Sequence, residues 1–244
     1  MMKTLLLSLL FSLSLMGEEI YATFDVVARK EANLNLTAQG IVKRLNTDVG
    51  NHVKKGSVLL EIDNDDLVAS IDLARERLKK AKIEEQFARQ TYDRYRQVES
   101  VIEAELMDQY TLAYQKASAA SSEAKASLRY QETLLEKTRL RAPFSGVISS
   151  RSIEVGDSVV GSASLLKLIS SDVKLILNFD EKYLHHVKVG SKVRYRIDGQ
   201  SQDKIGSISK IYPSVNAKNR KATAEVLTSN IAPGLFGEAY IVVK

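Results

Sequence analysis

The chain has 244 residues, with 35 lysines and arginines against 30 aspartates and glutamates, a formal net charge of +5, and neither cysteine nor tryptophan. This length leaves room for more than one domain, and the absence of cysteine excludes disulfides, thiolate catalysis and lipid attachment at an N-terminal cysteine. So small a positive surplus, spread along the chain, argues against nucleic acid as a partner.

Met1, Met2, Lys3 and Thr4 give a positive start, and an apolar run follows from Leu5 to Met16. That is the pattern of a secretory signal over residues 1–17, and the run is short for a bilayer span. Residues 18–32 alternate apolar and polar side chains and predict one or two strands that pair into a β-barrel formed further along the chain.

A motif written twice comes next. Its first copy has Gly40-Ile41-Val42, Val49-Gly50, Val53, Leu59-Leu60 and Ile62. Adding 106 to each number gives Gly146-Val147-Ile148, Val155-Gly156, Val159, Leu165-Leu166 and Leu168. Short β-branched runs punctuated by glycine predict strands and tight turns. A half-motif of about 30 residues is too small to bury a core alone, so residues 33–63 and 139–170 are expected to pack as one lipoyl-like β-sandwich.

Between the halves, residues 64–138 hold no glycine or proline and are rich in Ala, Glu, Lys, Arg, Gln and Leu, a helix composition. Asn64 or Asp65 is a natural N-cap, with Asp65 and Asp66 favourable to the helix dipole. Leu67, Ile71, Ala74, Leu78, Ala81, Ala88, Tyr92 and Tyr95 form a seam at steps of four and three, broken only at Glu85. A second seam is read at Leu106, Tyr110, Ala113, Ala117, Ala120, Ala124, Ser127, Gln131 and Leu134. Because the half-motifs must reunite, the chain has to turn back near residues 98–105. The result is an antiparallel coiled-coil hairpin with arms of roughly 50 Å, at about 1.5 Å per residue.

Residues 171–244 contain VKLILNF, KVRYRI, GSISKIY, ATAEVL and GEAYIVV separated by turn residues, which predicts a small antiparallel barrel. One short helix is expected over residues 180–186. The fold class is therefore mixed α and β and elongated: a split lipoyl-like sandwich, an inserted hairpin, then a β-barrel.

This arrangement resembles the periplasmic adaptor (membrane-fusion protein, HlyD-like) family of tripartite efflux pumps, of the resistance-nodulation-division type. GIVKRLNTDVGNHVKKGSVLLEID at 40–63 matches that family's first lipoyl half. TRLRAPFSGVISSRSIEVGDSV at 138–159 is similar to its most recurrent stretch, and APGLFGEAYIVV at 232–243 looks like its closing barrel strand. The resemblance implies a periplasmic adaptor without catalysis or cofactor, peripheral to the inner membrane. It would link an inner-membrane transporter, through its barrel and lipoyl end, to an outer-membrane channel at the hairpin tip. It also implies a homo-oligomer, a ring of six in many relatives. An adaptor for an ABC-type exporter and a pump-independent coiled-coil scaffold are the alternatives.

The family's tip motif is an arginine, a leucine four residues later and a small polar residue seven beyond that. Arg94 matches the arginine and Val98 stands for the leucine. The third position falls on Glu105, or on Glu103 if the tip is two residues shorter, and in either case an acid replaces a small hydroxyl. Val101 and Ile102 complete the partner-binding set, being unexpectedly apolar for a bare turn. Many relatives add a membrane-proximal β-domain after the barrel, and the end at Lys244 implies that it is absent or vestigial here.

Other constellations have plainer readings. A carrier lysine has no place where the helical excursion lies. Residues 63–66 lack the spacing of a calcium loop. His185 and His186 are adjacent rather than spaced as zinc ligands, and His52 adds too little. Residues 156–164 lack the ending of a phosphate loop. The basic loop Lys218-Asn219-Arg220-Lys221 can meet lipid headgroups or a partner, or stand solvated.

Overall fold

A computed structural model describes residues 18–98, 103–161 and 163–243. The chain divides into two compact units, one of Ala32–Leu168 and one of the flanking segments up to Glu31 and from Ile169 onward.

The flanking unit is a closed six-stranded barrel. Its strands are β1 (Glu18–Ala28), β10 (Val173–Asp180), β11 (Lys192–Ile197), β12 (Lys204–Ile211), β13 (Lys221–Thr228) and β14 (Phe236–Val243), in the order β1-β10-β13-β12-β11-β14. β1 pairs antiparallel with both β10 and β14, with Phe24 opposite Leu177 on one side and Gly237 on the other. The N-terminal strand thus closes the barrel and leaves no open edge for pairing with another chain. Alternation puts Ile20, Ala22, Phe24 and Val26 of β1 into a core with Leu175, Leu177, Phe179, Val193, Ala224, Val226 and Ile241.

Residues 181–183 form a single 3-10 turn at Glu181–Tyr183, in place of the short helix expected over 180–186. Asp180 caps it by accepting from the Lys182 amide at 3.1 Å, and turn hydrogen bonds continue to Val187, whose amide donates to the Tyr183 carbonyl at 3.2 Å and whose side chain joins the barrel core.

The second unit carries a sandwich of two four-stranded sheets. They use β2 (Glu31–Leu34), β3 (Gly40–Leu45), β4 (His52–Val53), β5 (Val58–Ile62), β6 (Arg139–Arg141), β7 (Gly146–Arg151), β8 (Ser158–Val159) and β9 (Leu166–Ile169). One sheet runs β2-β9-β7-β4 and the other β6-β5-β3-β8. The segment read as one piece through residue 32 therefore divides after Lys30: β1 enters the barrel, whereas β2 pairs in a sheet with β9. Each sheet contains strands from both half-motifs: β2 and β4 join β9 and β7 of the second half, and β6 and β8 join β5 and β3 of the first. The exchange is reciprocal. Gly50 donates its amide to the Ile148 carbonyl at 2.9 Å, and Gly156 donates to the Val42 carbonyl at 2.9 Å. Both glycines have positive φ, 86° and 94°, so each turn needs a residue without a Cβ penalty. Val42, Leu59, Leu60 and Ile62 meet Ile148, Leu165, Leu166 and Leu168 in a single core.

Two helices leave and re-enter this sandwich, α1 (Asp65–Arg96) and α2 (Ala104–Lys137). They run antiparallel: Tyr95 stacks on Tyr110 and Tyr92 on Tyr114, while Asn64 at one end meets Thr138. α1 turns its expected seam inward, with Ile71 and Ala74 buried. α2 differs from expectation at three places. Tyr114, Ser121 and Leu128 face inward, and Ala113, Ala120 and Ser127 are exposed. In a stretch where alanine and serine occupy most positions, composition does not choose a face. The partner helix does, through Tyr92 and Glu85.

Glu85, the break in the first seam, accepts hydrogen bonds from the hydroxyls of Ser121 and Ser118, which hold its carboxyl below the usual glutamate value. The break is a polar layer across the helix pair. No helix among the described residues is long and apolar enough to cross a membrane.

Candidate functional site

The hairpin tip is built from the end of α1 and the start of α2. Arg94 lies in the last turn of α1, where a cation complements the helix dipole, and its side chain is exposed. Val98 follows the helix, its amide donating to the Tyr95 carbonyl at 3.0 Å, with 44 % of its surface exposed. Val101 and Ile102 lie outside the described residues.

Glu103 occupies the N-cap position of α2 with extended backbone, and its side chain makes no capping bond. Its carbonyl instead accepts from the Leu106 and Met107 amides, while Glu105 stands exposed in the first turn. Among the described residues none of Arg94, Glu103 or Glu105 has an ion pair, so their charges face solvent.

Behind these residues the tip is stiffened by aromatic stacking that the spacing alone did not reveal as a unit. The rings of Tyr95 and Tyr110 lie 4.2 Å apart at 15°, and those of Tyr92 and Tyr114 lie 5.6 Å apart at 22°. A hydrogen bond with Tyr95, aided by burial, pushes the Tyr110 phenol up. Arg96 sits over the Tyr92 ring at 6.0 Å. Two stacked pairs one helical turn apart hold the ends of α1 and α2 in register. The available signal was a tyrosine pair on each helix, placed to meet in an antiparallel hairpin.

The opposite end of the hairpin is clamped to the sandwich. Glu61, almost fully buried in β5, accepts from the Asn64 amide at 2.8 Å and from Arg139 at 3.0 Å, with Arg44 at 3.1 Å. Those donors hold its carboxyl low, Asn64 foremost, against the opposing effect of burial. Asn64 therefore stands at the N-cap position without capping α1; its side chain is spent on Glu61 and Thr138. The acidic run 63–66 is partly neutralised by Lys43, which reaches Asp63 at 3.5 Å and Asp65 at 2.5 Å. Among the described residues no cluster of three or more His, Cys, Asp or Glu side chains is placed to hold a metal.

A sandwich assembled from two split halves, a helical hairpin between them and a flanking barrel are the architecture of the membrane-fusion-protein class. The chain belongs to the family described as CzcB-like, barrel-sandwich hybrid domain, which matches residues 30–170. It is 29 % identical over 227 residues to the cobalt-zinc-cadmium resistance protein CzcB of Cupriavidus metallidurans, covering 85 % of this chain and 41 % of that protein. It is 26 % identical over 260 residues to the efflux pump periplasmic linker BepD of Brucella suis, covering 95 % and 65 %. The chain thus spans about two-fifths of the length of CzcB. Among solved structures, MacA from Actinobacillus actinomycetemcomitans shares the fold with a TM-score of 0.72 at 17 % identity, covering 93 % of this chain and 79 % of that one.

Proposed function

We propose that the protein is the periplasmic adaptor of a tripartite efflux pump, joining an inner-membrane transporter to an outer-membrane channel and doing no chemistry of its own. The observation that carries this reading is the hairpin, fastened at its base and ending in exposed Arg94, Glu103 and Glu105, which have no ion pair among the described residues, beside exposed Val98. The naming of BepD as a periplasmic linker supports the same role. Residues 1–17 act as the export signal in this reading. The tip residues Arg94, Val98, Val101, Ile102, Glu103 and Glu105 meet the channel, guanidinium being suited to carboxylates and to the carbonyls at a helix end. Copies of the chain assemble as a ring, six by family resemblance, and the transporter is of the resistance-nodulation-division class.

Cross-linking in cells from a photoreactive residue at position 98 tests this. Capture of an outer-membrane channel, lost in Arg94→Glu, is the expected result. Capture that is indifferent to Arg94→Glu, or of soluble proteins alone, refutes it. Finding the transporter to be of the ABC type would move the protein to the other exporter class without changing its adaptor role.

A further inference from the structure

The two rims of the barrel differ in charge. At the rim where β1 ends and β10 begins, the connecting segments and strand ends carry Asp172, Asp198 and Asp203 against Arg29, Lys30 and Lys204. At the other rim lie the start of β1, the end of β14 and the loops 181–191 and 212–220. The antiparallel order places them together, and Glu181 donates its amide to the Arg220 carbonyl at 3.1 Å. This rim carries Lys182, Lys188, Lys192, Lys218, Arg220 and Lys221 against Glu18, Asp180 and Glu181.

Asp180 is partly committed to Lys182, 3.8 Å away. Lys188, Lys192 and Lys218 are exposed and have no ion pair among the described residues. Between the first two, at a turn set by Gly190 with φ of 92°, Val189 stands 66 % exposed. Lys182 lies over the Tyr183 ring at 4.8 Å, so an aromatic and a cation share the same edge.

We infer that this rim is a docking surface for the anionic face of a phospholipid bilayer. Lysine predominates over arginine here. Ammonium groups are point charges without the planar fork that recognises one carboxylate or phosphate in a fixed geometry, so the set suits a diffuse field of headgroups. An exposed valine flanked by lysines, with tyrosine nearby, adds the apolar and interfacial contact that a charged protein surface does not require. The contact belongs to the barrel itself and calls on neither transporter nor channel.

Co-sedimentation of the purified full chain with vesicles tests the assignment, using phosphatidylcholine alone and phosphatidylcholine containing about one-third phosphatidylglycerol. Binding is expected to favour the anionic vesicles and to fall as salt is raised. Replacing Lys188, Lys192 and Lys218 together by alanine is expected to weaken it about a hundredfold, at roughly fivefold per charge. Arg29→Ala, on the other rim, leaves it unchanged. Residues 1–17 are common to every variant, so only differences between lipids and between variants are read. An unchanged melting temperature for the triple variant shows that the fold is intact. Equal binding to both vesicles, wild-type binding by the triple variant, or an equal loss in Arg29→Ala overturns the inference. The assay contains no pump component, so its outcome is separate from that of the cross-linking experiment.

Discussion

The side-chain amide of Asn64 donates to the hydroxyl of Thr138 at 3.1 Å, joining residues 74 positions apart at the entrance of α1 and the exit of α2. The Thr138 hydroxyl in turn donates a hydrogen bond to the Leu135 carbonyl at 2.6 Å, and the Asn64 amide also serves Glu61. The mouth of the hairpin is thereby pinned where the chain crosses between helix and sandwich. Asn64→Ala strands buried acceptors and is expected to cost about 1–3 kcal/mol in urea unfolding. Asn64→Asp is expected to cost more, because it sets a carboxylate against Glu61. A wild-type unfolding midpoint in both variants would refute the role.

Glu61 makes this junction sensitive to acid. Its carboxyl is held below the ordinary glutamate value of 4.5 by Asn64 first and then Arg139, with burial opposing. In the unfolded chain it returns to the ordinary value. The stabilisation is therefore complete above pH 4.5 and is lost as pH falls through the lowered folded-state value. Glu61→Gln is expected to melt well below wild type at neutral pH, and the gap is expected to close in acid. A gap that stays constant across that range contradicts the assignment.

Glu85 and Ser121 couple the middles of the two helices in the same way. Ser121→Ala removes the foremost donor to a carboxylate held below 4.5, so the variant is expected to melt earlier at neutral pH and to match wild type in acid. Circular dichroism of helix melting at both pH values reads this directly.

Thr47 has a buried hydroxyl with no hydrogen-bond partner among the described residues, and the equivalent position of the second half-motif is Ile153, also buried. The sandwich thus tolerates an apolar side chain at this step. Thr47→Val keeps the shape and removes the stranded hydroxyl, so it is expected to raise stability by about 1 kcal/mol in thermal unfolding.

Gly237 lies in β14 opposite Phe24, and a Cβ built there falls 2.7 Å from the Phe24 ring and 2.1 Å from the Arg196 carbonyl. The ring of Phe24 fills the space a side chain would take. Gly237→Ala is expected to force β11 and β1 apart at a cost of about 1–3 kcal/mol or more, measured as a lowered unfolding midpoint.

Much of this was legible in the residues because it is local. Spacing of 106 between matched glycines and aliphatics identified two equivalent halves, and both turn glycines indeed take positive φ. Alternation over 192–197 located β11 to the residue, since a period of two reports one buried face. Absence of glycine and proline marked the helices. For the tip, the fading of the seam indicated where the chain turns back, whereas the resemblance to the adaptor family's tip motif singled out Arg94, Val98, Glu103 and Glu105. What those residues bind is set by a partner's surface, which the chain does not encode locally.

The remainder is long-range. Either half-motif read alone predicts its own strands, yet only packing decides that β4 joins β7 and β8 joins β3, because a two-residue strand finds its hydrogen bonds on whichever edge lies nearest. Alanine and serine on every face of α2 leave its inward side open until Tyr92 and Glu85 select Tyr114 and Ser121. Asn64 has the composition of a helix cap, and only the return of Thr138 turns its amide to another use. Amino-acid order by itself determined the elements and their kinship; the folded state decided how they are exchanged, phased and fastened, since those choices rest on contacts between residues far apart in the chain.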